Sequence, residues 1–180
     1  PLGEVGKGVF ITGGDSRPSR LINSTVVGNA GPDAYFSGVV EIANSIIWGT
    51  HSPVTNTVSA RYSTFPTPVE GPGNSSAPPQ FVDPIQKNFR LATGSPGIDD
   101  ADNAALPEWL SRDRDGELRV IDGNKDGNRV VDRGAFESGD WAAFLSIRRE
   151  SSASTELRFG GRTPQGVFLD RKVNEQAWVE

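Results

Sequence analysis

A four-residue pattern recurs three times in the first third of the chain. Asn23-Ser24-Thr25-Val26 aligns with Asn44-Ser45-Ile46-Ile47 and with Tyr62-Ser63-Thr64-Phe65. The three serines are 21 and 18 residues apart. Strand-and-turn units that repeat at about 20 residues are typical of β-solenoids, in which each coil stacks on the next. We therefore predict one column of serines, with the apolar residue two positions later facing the core. Three similar strands in a β-sandwich are the alternative, and the regular step favours the solenoid.

The segments around the repeat are short, rich in β-branched and aromatic residues, and bounded by glycine and proline. The 180 residues include 21 Gly and 13 Pro, and 35% of the chain is hydrophobic. No apolar stripe with helical spacing competes with the period-two segments. The sequence predicts an all-β fold. There is no Cys, so disulfides and thiolate metal sites are excluded, and no Met.

Composition divides the chain into three parts. Residues 1–65 are predicted to form the coils, and 66–139 a loop-rich acidic segment that closes them. Residues 140–180 alternate apolar and polar positions again, between Gly and Pro turns. We predict a small β module there, or the start of a following domain.

The net charge is local. Residues 99–137 contain 11 acidic and 6 basic side chains, which account for the whole formal charge of −5. An excess of acid argues against nucleic acid as a partner. No apolar run approaches the roughly 20 residues of a membrane span.

A series of short motifs carries a resemblance to a known family. In chain order they are Asn44-Ser45-Ile46-Ile47-Trp48-Gly49, Pro79-Gln80-Phe81-Val82-Asp83-Pro84, Asn88-Phe89-Arg90-Leu91, Gly94-Ser95-Pro96-Gly97-Ile98-Asp99, Asp113-Arg114-Asp115-Gly116, Asp122-Gly123 and Asp132-Arg133-Gly134-Ala135-Phe136-Glu137. This order resembles the C-terminal part of bacterial right-handed parallel β-helix proteins of the pectin-lyase-like superfamily, in particular the choice-of-anchor Q domain. The resemblance implies the last coils of such a helix, with a loop-rich acidic C-terminal closure and a small β appendage.

The resemblance also implies a location. It implies a bacterial protein that is secreted or anchored at the cell surface, and it does not imply an activity. We expect a carbohydrate or cell-surface partner. Our leading hypothesis is a non-catalytic structural or adhesion module. One alternative is the C-terminal part of a polysaccharide lyase or glycoside hydrolase whose active coils lie upstream. A self-assembling filament subunit is another. A fold alone does not decide among them.

One loop has the spacing of a calcium site. The segment Asp122-Gly123-Asn124-Lys125-Asp126-Gly127-Asn128 matches D-x-N-x-D-G, in which oxygens at positions 1, 3 and 5 face the ion. Position 12 is Arg133 rather than an acid, and Asp132 lies one residue earlier. The predicted Ca²⁺ ligands are Asp122, Asn124, Asp126, Asn128 and Asp132. An exposed Asx-Gly turn without metal is an equally good interpretation.

No other motif predicts chemistry. His51 follows a strand in a loop and is expected to be a turn residue, so we assign no catalytic residue. The first coil lacks a recognisable cap, and exposed coil ends invite pairing. We therefore expect the chain to be the tail of a longer solenoid, or to associate end to end through this coil.

Overall fold

The computed structural model describes residues 8–14, 16–29, 31–55 and 57–139, and the backbone of three later strands. The described residues are all-β, with one short 3-10 turn at Asn103–Ala105 and no α-helix. The strands are β1 Val9–Gly13, β2 Ser19–Ile22, β3 Thr25–Val27, β4 Ala34–Gly38, β5 Val40–Ala43, β6 Ile46–Trp48, β7 Val58–Arg61, β8 Phe81–Asp83, β9 Asn88–Leu91, β10 Phe144–Ser151, β11 Ser154–Gly160 and β12 Arg171–Val173. None of the helices in this part of the chain is long and apolar enough to cross a bilayer.

The first seven strands form three parallel sheets that the chain visits in the same order on each pass. Strand β1 pairs with β4, β2 with β5 and then β7, and β3 with β6. Single bridges extend two of these sheets by one level, from Ala34 to His51 and from Ile46 to Thr64. Parallel strands cannot be joined by tight hairpins, and here each connection passes through the other two sheets.

The core lies between the three sheets and is built from stacked apolar columns. In each strand alternate side chains face inward, as the period of two requires. Ile47 and Phe65 are fully buried, and Val26 packs against them from the preceding level. The predicted column two residues after the serines is therefore confirmed.

Left-handed residues turn the chain from the second sheet to the third at each level. Asn23, Asn44 and Tyr62 have φ of 45°, 52° and 47°, a conformation that asparagine tolerates better than most residues. The serine that follows each of them joins the levels. Ser45 Oγ accepts from Ser24 N at 3.2 Å, and Ser63 Oγ accepts from Ser45 N at 3.1 Å. The predicted serine column is confirmed.

Three local details differ from what the sequence predicts. The β-branched run 21–27 predicts one strand, whereas this corner divides it into β2 and β3. Strand β4 is not predicted, because its Ala-Tyr-Phe-Ser-Gly sequence has little β-branched character. Residues 106–110 predict one short helical turn, whereas the 3-10 turn lies at Asn103–Ala105, where Asp102 caps it.

The chain divides into two compact units, Pro1–Gly139 and Asp140–Glu180. In this later unit β10 pairs antiparallel with β11, and β11 pairs antiparallel with β12. The strands predicted at 166–169 and 177–179 lie outside the described residues.

The serine column gives a direct test of the stacking. Ser45→Ala removes the acceptor of Ser24 N and the donor to the Ala43 carbonyl at 2.8 Å, both in the interior. We expect the free energy of unfolding to fall by about 1–3 kcal/mol, the cost of stranding buried polar groups. Urea denaturation followed by circular dichroism measures this loss. Ser59→Ala, on the exposed face of β7, is the control, and an equal effect of the two substitutions would contradict the stacking role.

Candidate functional site

The acidic segment packs against the corner formed by the left-handed asparagines. Asn44 is fully buried; its side-chain oxygen accepts from Asp102 N at 2.9 Å, and its Nδ2 donates to the Asp102 carbonyl at 2.9 Å. Asn23 Nδ2 donates to the Asp132 carbonyl at 3.1 Å. Gly134 N donates to the Asn44 carbonyl at 2.7 Å. Two asparagines of the stacked strands thereby form hydrogen bonds with the backbone of residues that lie more than 50 positions later in the chain.

A buried guanidinium reinforces this junction. Arg133 donates through Nη1 to the Ser63 carbonyl and Thr64 Oγ1, and through Nη2 to the Gly73 carbonyl. Its Nη2 also pairs with the carboxylate of Asp100 at 2.7 Å. Burial lowers the pKa of Arg133, whereas the charge of Asp100 raises it. The guanidinium stays charged in such a place, because its intrinsic pKa is very high and its N–H groups are hydrogen-bonded to oxygens.

The neighbouring carboxylate of Asp132 has no exposed surface. Its Oδ1 accepts from Asp99 N at 2.8 Å and its Oδ2 from Ser138 N at 2.6 Å. Burial raises the pKa of Asp132 to about 7, and the two backbone hydrogen bonds oppose that rise. Asp132 therefore acts as a clamp between two turns of the acidic segment.

A second buried carboxylate lies beside it. Glu137 accepts from Asp132 N at 3.0 Å through Oε2 and from Arg119 Nη1 at 3.1 Å through Oε1. Burial is the main cause that raises the pKa of Glu137 to about 9, and the charge of Asp132 is the second cause. Arg119 lowers this pKa but does not cancel the rise. Arg119 also donates to the Gly134 and Ala135 carbonyls. Its Nε has no hydrogen-bond partner among the described residues.

Two other acidic residues of this stretch have structural contacts as well. Asp113 accepts from Asp115 N, Glu117 N and Glu137 N, and so ties a tight turn to the buried carboxylate. Asp115 forms two hydrogen bonds with Arg90, at 2.7 and 2.6 Å. The guanidinium of Arg90 lies 4.7 Å from the centroid of the Phe136 ring. These contacts give Asp113 and Asp115 a structural role.

The predicted calcium ligands are divided between two places. Asp122, Asn124 and Asp126 lie in one turn, where their side-chain oxygens accept from the backbone N–H groups of residues 126, 127 and 128. Asn128 contributes its backbone N–H to that turn and is exposed. Asp132 lies in the buried clamp, with both oxygens bound to other amides.

Within the described part of the chain, no group of three or more His, Asp or Glu side chains is arranged to hold a metal ion. Asp99 binds the turn instead, since it accepts from Gly123 N and Asn124 N. Calcium binding by this turn stays a prediction, and the residues present favour the Asx-turn interpretation.

His51 has a structural environment. Its Nδ1 donates to the Ser52 carbonyl at 2.8 Å, and its ring meets the edge of buried Phe65 at 5.4 Å. It pairs with Ala34 at the end of the first sheet. The position agrees with a turn residue that covers the last level of the core.

Sequence reasoning missed Arg119, Arg133 and the corner asparagines. Asn23 and Asn44 could have been found, because they recur with the period of the serines. Nothing local marks Arg133, because its carbonyl partners at Ser63 and Gly73 lie 70 and 60 residues earlier in the chain.

No protein-family model, curated protein or solved structure matches this chain. The function is therefore inferred from the contacts above and from the motif series.

The buried carboxylates predict a pH dependence of stability. Asp132 and Glu137 have ordinary pKa values of 3.8 and 4.5, and in the fold they rise to about 7 and about 9. The folded chain keeps protons that the unfolded chain releases, so the free energy of unfolding should decrease as pH rises from about 4 to about 9. Urea denaturation at several pH values measures the slope.

Glu137→Gln removes one of the two titrating groups and should flatten the alkaline part of this slope. Glu108→Gln alters an exposed carboxylate and should leave it unchanged. A wild-type stability that is constant or increases over this range would show that the buried pair is ionised throughout.

Proposed function

We propose that residues 8–139 comprise the last coils of a right-handed parallel β-helix, up to residue 65, and their closing segment, 66–139, and serve as a non-catalytic structural or adhesion module. The repeated visit to three parallel sheets in one order supports the helix. The bacterial, extracellular or cell-surface location rests on the resemblance of the motif series.

The observation that carries this function is the set of buried ionisable side chains at the corner. Asp132 and Glu137 accept hydrogen bonds from backbone amides, and Arg133 donates to the carbonyl of Ser63 next to the last level of strands. We infer that these groups, whose burial opposes folding, are retained here because they fix one arrangement of the chain. Here that arrangement is the attachment of the acidic segment along the coils.

The first and the last level of the stacked strands have different contacts. Ser75 pairs with Thr64, and Asn74 bonds to Ser63 N and the Ala60 carbonyl, so residues 69–75 contact the last level. Val69 packs against the core there. These contacts support a module that ends in the closing segment.

Hydrogen exchange tests the structural role. If the charges hold the segment to the coils, Arg133→Met should lower protection in both β6 and residues 97–137, because one junction stabilises both. Arg112→Met is the matched control, since Arg112 is exposed and donates only to the Gly116 carbonyl. We expect a decrease of at least tenfold in protection for the first variant, about 1.4 kcal/mol, and little change for the second.

The same protein should release no product from polygalacturonate, xylan or cellulose. New reducing ends or unsaturated products, lost on substitution of a described residue, would support the lyase or hydrolase alternative instead.

A second candidate function is association through the first coil. In the described residues β1, β2 and β3 each pair on one side only. Their inward side chains are half-buried, whereas the residues in register on the next level are buried. The pairs are Val9 and Ala34, Ile11 and Phe36, Leu21 and Ile42, and Val26 and Ile47. Among the described residues, an edge that pairs on one side only, over a half-buried core, fits further strands.

The contacts of residues 69–75 at the other end favour a pair of copies that meet at their first coils over a head-to-tail filament. Sedimentation equilibrium of the 180-residue chain should show a dimer that dissociates on dilution. A monomer at every concentration would remove this candidate, and species larger than a dimer would restore the filament.

A further inference from the structure

Two aromatic rings are stacked in the open on the outer face of the first sheet. Phe10 of β1 is 64% exposed and Tyr35 of β4 is 49% exposed. The two residues are in register, and their ring centroids are 5.1 Å apart with an angle of 4° between the planes. Paired large aromatic side chains on a surface are uncommon, since water contact costs each of them apolar burial.

The two strands that carry the pair are uncharged and present hydroxyl groups. Neither β1 nor β4 contains a charged residue. Thr12 and Ser37 form the next outward pair in register. On the third level the bridge from Ala34 to His51 brings Ser52 next to Tyr35 in the same column.

The small side chain at the third level shapes the platform. Ser52 Oγ accepts from Phe36 N at 2.8 Å, which fixes it close to the sheet. In the column of Phe10, Tyr35 and Ser52, two large rings are therefore followed by one small hydroxyl side chain. A flat ligand placed against Tyr35 would rest on this step.

We propose that the Phe10–Tyr35 platform binds a neutral chain of pyranose sugars. The C–H face of a pyranose ring is apolar and stacks on aromatic rings, while its hydroxyls hydrogen-bond to serine and threonine. Tyrosine suits such a surface, because its ring is apolar and its hydroxyl stays in water. An anionic polymer would need cationic side chains to offset its charge, and these strands contain none.

This inference names a ligand for the adhesion role and rests on the proposed function in that respect. It depends on a different face from the charged corner, so the two can fail separately. A failure of the platform leaves the fold and the Arg133 junction unchanged.

Titration of the ¹⁵N-labelled 180-residue chain with cellohexaose and with mannohexaose tests the proposal. At least one of them should shift the amide signals of Tyr35, Ser37 and Ser52. Tyr35→Ala should weaken binding at least tenfold, about 1.4 kcal/mol, and Phe10→Ala should weaken it as well. Trp109→Ala removes an 81% exposed ring elsewhere and is the control. Phe10→Tyr keeps the stack and should retain binding.

Three results would overturn the proposal. The first is no shift with either neutral hexasaccharide at about 5 mM, a concentration that detects millimolar dissociation constants. The second is equal binding by wild type and Tyr35→Ala. The third is a dimer of the unliganded chain that Tyr35→Ala abolishes, which would assign the rings to contact between copies.

Discussion

The corner between the second and third sheets is the constraint on which the rest of the structure depends. At each level one residue enters the left-handed region, and the serine after it bonds to the neighbouring level. A left-handed residue costs free energy unless its surroundings hold it. The stacked corners support one another, since Asn44 Nδ2 also donates to Asn23 Oδ1 at 3.3 Å. The corners fix the register of the strands on either side, because a slip of one residue would turn the core columns outward.

The acidic segment exploits the same corner. Its backbone satisfies the two asparagines, and its Arg133 satisfies carbonyls of the last coil. Burying Asp132, Glu137 and Arg119 opposes folding through desolvation, as the raised pKa values of the two acids show. The cost is offset only while all partners are in place, so the segment should attach as one piece. Three acids of this stretch, Asp113, Asp132 and Glu137, are thus buried and act as internal fastenings, whereas others such as Glu108 are exposed.

The repeat made the stacking of the strands predictable because its information is local. Spacing alone gave the serine column and the inward Ile47 and Phe65. The partners of the acidic segment could not be read this way, since Arg133 meets Ser63 and Ala135 meets Thr25 across 70 and 110 residues. The D-x-N-x-D-G spacing identified a real turn, yet it could not place Asp132. Asp132 follows the fully buried Val131, and its carboxylate lies in the clamp.

The outer face of the sheet that contains β6 and the outer face of the sheet that contains β4 differ in what covers them. Ile46 faces outward on β6 and is only 1% exposed, because Gly134 and its neighbours lie over it. The equivalent outward position on β4 is Tyr35, and no described residue buries it to that extent. The outward pair of Phe10 and Tyr35 takes part in none of the contacts described for the acidic segment, and it contributes little to the core. Selection for stability alone would favour polar side chains there, as it does at Thr12 and Ser37. The division between a fastened face and an aromatic one is what a module needs if one side holds the chain together and the other meets a ligand.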